Sequence, residues 1–508
     1  MLLHHVVETA ESVAATRSRL AKISALATLL AELEPDEVAP AIGFLTARPR
    51  QAPLGVAWRG LSAVDVPHSE ASTLTVLDVD AALERLAAAS GAGSSAARRT
   101  TLEDLAARAT AAEWDFVSRV ILGELRTGAL EGALLDAIAR ASGEDAATVR
   151  RAAMLSGDLG LTAHIALGGP PGQLAAVGLV VGRAVSPMLA STAGSVGEAV
   201  AQIAGPASVE YKLDGARIQV HRVGDEVRVF TRNLADITHR VPEIVDVVRA
   251  LPVRDVILDG ETLSLDADGG PRPFQDTMAR FGSETAGGKT LLRPWFFDVL
   301  HVDGRDLIDE PLDARLGELE RIAGGWRIPG LVTDDAEVAE QLSRDALAAG
   351  HEGVVVKALD SAYAAGRRGK SWIKVKPVLT YDLVVLAVEW GSGRRTGMLS
   401  NLHLGALDAA GEFGEPGGFV MVGKTFKGLT DELLAWQTAH FPSIETHRSA
   451  YAVHVQPVTV VEIAIDGVQR STRYPGGVAL RFARVKAYRP DKAPREADTI
   501  QTLRGLLR

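Results

Sequence analysis

Leu20, Ile23, Leu26, Leu30 and Leu33 recur at intervals of three and four residues, which lays one apolar stripe along a helix. That spacing persists to about residue 170. "LEDLAARATAA" reads as a helix capped by Thr100 or Thr101, with acidic residues in its first turn. "EWDFVSRVILGELRTGALEGALLDAIARASG" reads as two more, parted near Thr127 and Gly128. "ASGAGSS" (89–95) has the composition of a loop, and "GGPPGQ" (168–173) that of a linker or turn. From about 185 the period shortens to two. "ARIQVHRV", "EVRVFTR", "DVILDGETL", "PWFFDVLHV" and "GHEGVVVKAL" are short, β-branched runs bounded by Gly, Asp and Asn, with helical stretches between them. From "TYDLVVLAVEWG" onward strands dominate around one helix, "LTDELLAWQTAHF", as in a small β-barrel. No repeat of fixed period runs through the chain.

At 508 residues the chain is too long for one core, and the pattern predicts three domains. They are an all-α block over 1–175, an α+β block over 176–379 and a β-barrel over 380–508. No run of about 18 uninterrupted apolar residues offers a membrane span. "MLLHHVVETAESVAA" lacks a basic start and a cleavage site and reads as a soluble helix, so the expected location is the cytoplasm. The absence of cysteine excludes disulfides, thiol catalysis and cysteine-ligated zinc or iron–sulfur sites. A net charge of −10 argues against a uniformly basic nucleic-acid binder, though local stripes govern phosphate contact.

Candidate chemistry is concentrated in the α+β block. In "EYKLDGARIQV" (210–220), Lys212 and Asp214 are two apart and would share a strand face, as a surface ion pair or as a pocketed lysine held for chemistry. An unperturbed lysine, with a pKa of about 10.4, is almost wholly protonated at neutral pH, so a nucleophilic role needs burial or neighbouring cations. "RRGKSWIKVKP" gathers Arg367, Arg368, Lys370, Lys374 and Lys376 without an acid. Such a cluster suits a polyphosphate or nucleic-acid backbone, or a solvated edge strand. Asp259, Glu261 and Glu352 follow apolar runs, as when strands deliver carboxylates to a cleft, and oxygen ligands of that kind suit Mg²⁺.

Seven motifs in order carry a resemblance: "KLDG" followed by Arg217, "TRN" (231–233), "DGE" (259–261), "FFDVL" (296–300), "EGVVVK" (352–357), "WIKVKP" (372–377) and "RFARVKAYRPDK" (481–492). The set resembles the covalent nucleotidyltransferases, and most closely the bacterial and archaeal type of ATP-dependent DNA ligase. The resemblance implies a helical DNA-binding domain, an α+β nucleotidyltransferase (ATP-grasp-like) domain and a β-barrel OB-fold domain. It implies a monomer that works in DNA replication, repair or recombination. Its cofactors would be ATP and Mg²⁺, with Mn²⁺ as a substitute, and its partner nicked double-stranded DNA. Residue by residue, it makes Lys212 the nucleophile that takes AMP. Glu210 would read the adenine and Phe297 stack on it. Arg217, Arg232 and Glu261 would hold the ribose and later the nick's 5′-phosphate. Arg368, Lys374 and Lys376 would grip phosphate, Glu261 and Glu352 would support the metal, and Arg489 and Lys492 would swing in on pyrophosphate with Asp491. Asp214 is left open between metal, ribose and a structural contact. Where the family often reads R-F-P-R, this chain has "RFAR", with Ala483 in place of proline.

The flanking blocks extend this reading. Arg126 and Thr127, in a helix-breaking bend, would meet DNA phosphates. Residues 469–495 hold eight Arg and Lys against one acid, Asp491, a stripe for duplex DNA that includes Arg481 and Arg484. Val378 to Tyr381 would be the hinge of the barrel. Among rivals, mRNA-capping guanylyltransferases lack a long helical block upstream, and NAD-dependent ligases carry a cysteine zinc module. A catalytically idle DNA clamp need not keep Lys212, Glu261, Glu352, Lys374 and Lys376 together. RNA ligase is a further alternative.

Overall fold

The computed structural model describes residues 1–51, 53–125, 130–266, 269–282, 291–364, 366, 368–392 and 395–507, with the backbone alone at 282 and 368. Among these residues ten helices, from Leu3–Ala15 to Leu159–Gly168, make up the first block. Their apolar faces meet in one core that runs from Leu3 to Leu174. In the helix Arg19–Ala31, Ile23, Leu26 and Leu30 are buried as the stripe predicts, but Leu20 is 76% exposed. Spacing marks the face of a helix; it does not mark how far along that face a neighbour reaches. The helix expected to begin at Thr100 or Thr101 begins earlier. Ser94–Arg108 is continuous, Gly93 precedes it at φ +87°, and the Thr101 hydroxyl donates to Ala97 O at 3.0 Å. A threonine satisfied by the carbonyl one turn back is a helix-interior residue. The bend holding Arg126 and Thr127 lies outside the described residues.

The middle block is built on two five-stranded sheets. Its strands are β1 (Leu189–Thr192), β2 (Ala207–Lys212), β3 (Ala216–Val223), β4 (Glu226–Thr231), β5 (Asp255–Ser264), β6 (Leu292–Val302), β7 (Arg305–Asp306), β8 (Gly330–Thr333), β9 (Gly353–Ala358) and β10 (Arg368–Val375). One sheet has the order β1-β10-β9-β2-β8, the other β4-β3-β5-β6-β7. Among the described residues, the β1–β10 pair is the only parallel pair of these strands.

Period-two alternation sorts each strand between two faces. In the first sheet Ala207, Val209, Val354, Val356, Ile373 and Val375 point outward onto the helices Val196–Ile203 and Ala336–Ala348. In the second, Ala216, Ile218, Val256 and Leu258 point outward onto Pro242–Arg249 and Leu312–Ala323. The residues left for the inner faces are Glu210, Lys212, Lys357, Trp372 and Lys374 on one side, and Arg217, Asp259, Glu261 and Phe297 on the other. The apolar pattern that seals the outside thus delivers the polar residues to the space between.

A buried histidine ties the incoming chain to this sandwich. His221, on the inner face of β3, accepts the Gly182 N–H at Nδ1 (2.9 Å), and its Nε2 bonds Gln219 Oε1 (2.9 Å). Burial, with help from His301 and Arg228, pushes its pKa down to about 3, so it is neutral in the fold. The folded value lies below the unfolded one, near 6.5. The stabilisation is therefore complete above pH 6.5 and is lost as pH falls from there toward 3. Between about pH 7 and about pH 5.5 this one group is expected to cost about 1 kcal/mol. His221→Asn, compared with wild type by hydrogen exchange of β3 amides at both pH values, should show a correspondingly smaller loss. Equal losses would show that His221 does not titrate in the fold.

The last block is an antiparallel sheet of seven strands around the long strand Leu379–Trp390, which pairs with three others, over a core from Leu383 to Leu503. The expected helix is present as Asp431–His440, with Thr430 accepting the Leu433 N–H at 3.2 Å. The hinge differs from expectation. Leu379, Thr380 and Tyr381 already pair with Ile465, Ala464 and Ile463, which confines the free connection to 376–378.

Candidate active site

A cavity of about 560 Å³ opens between the two sheets, lined from one side by Glu210, Lys212, Lys357, Trp372 and Lys374 and from the other by Arg217, Arg232, Glu261 and Phe297. Lys212 is the last residue of β2, and the next three residues carry the chain across to β3 in the opposite sheet. The lysine thus sits where the two sheets are joined.

Of the two readings of Lys212 and Asp214, the surface ion pair does not form, because the strand ends between them. Lys212 Nζ bonds Glu352 instead, and Asp214 receives both terminal nitrogens of Arg481 from the barrel, at 2.6 and 3.0 Å. The structural option for Asp214 is therefore an interdomain one. Gly215 is needed for close approach; its φ is not positive. A Cβ there would lie 2.4 Å from Thr262 O and 3.0 Å from Glu261 Cγ, so any side chain would push β5 and its carboxylate away.

Three groups of charges surround the lysine. Glu352 holds Lys212 and lies 3.8 Å from Lys376, which in turn bonds Asp466 of the barrel at 2.6 Å. Glu261 is pushed up to about 7 by burial; Lys212 and Arg217 oppose that shift, while Asp259 and Glu352 add to it. Arg217 is locked in place. It donates to both oxygens of Asp259 (3.1 and 2.6 Å), to Met188 O (2.5 Å) and to Tyr363 Oη (3.2 Å). Burial works against its charge, but Asp259 outweighs it and keeps the guanidinium ionised. Four of its five N–H groups are engaged, which leaves one for a ligand.

The inner end of the cavity is an aromatic slot. Phe297 and Trp372 meet edge to face at 5.8 Å. The Lys357 ammonium lies 4.5 and 4.4 Å from their ring centres, donates to Phe297 O at 3.2 Å and pairs with Glu210 at 2.5 Å. Both ends of that pair are buried, at 2% side-chain exposure each.

Other expected residues are placed elsewhere. Arg489 bonds Asp491 (2.9 and 2.7 Å) and Lys492 bonds Asp382, all within the barrel, and neither lines the cavity. Arg481 and Arg484 lie at the seam between barrel and sandwich, on Asp214 and on Asp466 (3.1 Å). The Arg368 side chain, like Arg126 and Thr127, falls outside the described residues. Sequence reasoning missed Lys357, Trp372, Tyr363 and Asp466. Lys357 and Trp372 stood inside quoted motifs, and alternation would have put both on the inner face. Tyr363 and Asp466 carried no such signal. No described helix is long and apolar enough to cross a membrane.

Three family models match the chain: DNA ligase N terminus over 62–139, ATP dependent DNA ligase domain over 187–376 and ATP dependent DNA ligase C terminal region over 395–492. The "Probable DNA ligase" of Pseudarthrobacter chlorophenolicus is 66% identical over 508 residues, covering 100% of both chains. That of Saccharopolyspora erythraea is 57% identical over 504 residues, 99% of this chain and 98% of its own. The solved structure Pmar-Lig_PreS3 matches with a TM-score of 0.63 at 20% identity, over 95% of this chain and 99% of that one, and so shares its fold. A joined pair of sheets with a lysine at the junction is thus found in a sequence that matches known ligases from end to end, and the chain belongs to the ATP-dependent DNA ligases, enzymes whose general activity is the sealing of nicks.

Proposed function

We propose that the chain seals 3′-hydroxyl/5′-phosphate nicks in duplex DNA through two transfers of an adenylyl group followed by its release as AMP. Lys212 Nζ, as the free amine, attacks the α-phosphorus of ATP. An N–P bond forms and Nζ gives up one proton to solvent, the bond to the bridging oxygen of the β-phosphate breaks, and pyrophosphate leaves. An oxygen of the nick's 5′-phosphate then displaces the lysine, giving a DNA-adenylate, and the departing amine takes a proton. Last, the 3′-hydroxyl attacks that 5′-phosphorus, its proton is released and AMP leaves. The observation that supports this best is the place of Lys212, at the junction of two sheets and on the wall of a cavity of nucleotide size.

The same reading gives the other residues their roles. Phe297 would stack on a nucleobase, with Trp372 beside it and Glu210 and Lys357 at its edge. Arg217, Arg232 and Glu261 would meet the ribose and then the 5′-phosphate. Lys374, Lys376 and Arg368 would face the α-phosphate, where charge builds in the transition state. Arg489 and Lys492 would need a turn of the barrel about 376–378 to reach pyrophosphate. Arg481, Arg484, Arg126 and Thr127 would contact the DNA backbone. Domains at 1–175, 176–379 and 380–508 would close around DNA as a cytoplasmic monomer. Among the described residues no group of three or more His, Cys, Asp or Glu forms a cage for a metal ion. Glu261 and Glu352 beside the lysine fit Mg²⁺ of the kind that takes one or two carboxylates and otherwise phosphate and water. When bound, it would neutralise triphosphate charge.

The test is label transfer from α-labelled ATP to the wild-type protein in magnesium. One label per chain is expected, discharged by pyrophosphate, or by nicked DNA with the strand sealed, and none is expected from GTP. A protein that binds nicked DNA yet never takes label would be an idle clamp.

A further inference from the structure

The carboxylate of Glu210 is fixed from three sides by groups that take no part in the transfers themselves. Ser208 lies two residues earlier on the same face of β2 and is 0% exposed; its hydroxyl donates to Glu210 Oε1 at 2.8 Å. The Lys357 ammonium, whose strand position is directly opposite Ser208, takes Oε2 at 2.5 Å. On the other flank Gly330 of β8 is paired with Glu210, and a Cβ there would lie 2.9 Å from Glu210 Cγ and 2.6 Å from Val209 O.

This arrangement has a consequence for recognition. Each carboxylate oxygen has two lone-pair directions. Ser208 and Lys357 occupy one on each oxygen, so the remaining acceptor directions are set, at a residue that lines the cavity. A fixed acceptor pairs with an exocyclic amine and repels a carbonyl oxygen. Adenine presents an amine at C6 and guanine a carbonyl. A carboxylate released from its holders turns easily about its last torsion, which is broad and two-fold. It can then accept from the ring N–H and the 2-amino group of guanine.

We propose that Ser208 and Gly330 are positioning residues that set the preference of this cavity for adenine over guanine nucleotides, acting through Glu210. This rests on the reading above that Glu210 meets the nucleobase edge. Ser208 supplies the orienting hydrogen bond, and Gly330 leaves the space in which the oriented side chain fits.

The experiment is nucleotidyl transfer to the full-length protein from α-labelled ATP and, separately, α-labelled GTP, with kcat/KM measured for each in wild type, Ser208→Ala and Ser208→Thr. Wild type should prefer ATP. Ser208→Ala should lower the ATP:GTP ratio about tenfold, the loss expected of one hydrogen bond to a charged group, mostly by gaining GTP. Its labelling at saturating ATP and its melting temperature should stay near wild type. Ser208→Thr, which keeps the hydroxyl, should keep the ratio. A Ser208→Ala ratio within twofold of wild type overturns the inference, as does an equal loss on both nucleotides, which marks a merely structural serine. A wild type labelled equally well by ATP and GTP would instead remove the Glu210 reading itself.

Discussion

Lys212→Ala is expected to take no label from ATP and to seal nicks at least about 10⁴-fold more slowly, the scale of loss when a nucleophile is removed. The same variant, given a nick that already carries AMP on its 5′-phosphate, should seal it within about tenfold of wild type. That last transfer needs a 3′-hydroxyl nucleophile and an AMP leaving group, and no amine. The contrast between the two substrates separates a nucleophile from a residue that merely shapes the cavity. Folding should be little affected, because the Lys212 side chain is 24% exposed and Glu352 retains Lys376 nearby. Lys212→Arg should behave like alanine in the labelling assay, since a guanidinium stays protonated and cannot attack. Equal loss on both substrates, or a labelled Lys212→Ala, would assign the chemistry to another group.

Alternation explains why the middle domain was so legible. Once Val209, Ile218 and Val356 are assigned to outward faces, Glu210, Arg217 and Lys357 have only the inner face left. Apolar spacing carries that information locally, within six or eight residues. It fails where an outcome depends on a partner far along the chain. Asp214 reads as the neighbour of Lys212, yet its partner is Arg481, and Lys376 reads as a free phosphate ligand, yet it bonds Asp466. Both pairings have one cause: the barrel docks on the mouth of the sandwich, and no local pattern encodes which of its charges arrive there.

The glycines of the site make the same point. Neither Gly215 nor Gly330 has a positive φ. Each is required by a through-space approach, to Thr262 O in one case and to Val209 O and Glu210 in the other. Arg489 and Lys492 show the converse. They stand in a motif whose chemistry concerns pyrophosphate, while here they pair with Asp382 and Asp491 inside the barrel. The turn of the barrel about 376–378 proposed above would have to break these pairings before either residue reached pyrophosphate.

Lys357→Met should be strongly damaging to the sandwich, because it leaves the Glu210 carboxylate buried with Ser208 as its one remaining side-chain partner among the described residues. Removing one member of a buried ion pair costs about 3–5 kcal/mol, far more than the pair contributes against an apolar substitute. The chain has several cores and does not unfold in one step, so the suitable measurement is hydrogen exchange of β2 and β9 amides, which reports local opening. Exchange there should speed up by about 10² to 10³-fold or more. Adding Glu210→Gln should bring exchange back to within about tenfold of wild type, since a neutral amide no longer needs the cation. Label transfer from ATP should not recover, and should stay at least about 100-fold down, because the charged acceptor at the nucleobase edge is now a neutral amide and the ammonium that held it is gone. Recovery of stability without recovery of transfer would separate the two roles of this pair. If Lys357→Met alone leaves exchange unchanged, water reaches Glu210 in solution and the slot is wetter than 2% exposure implies.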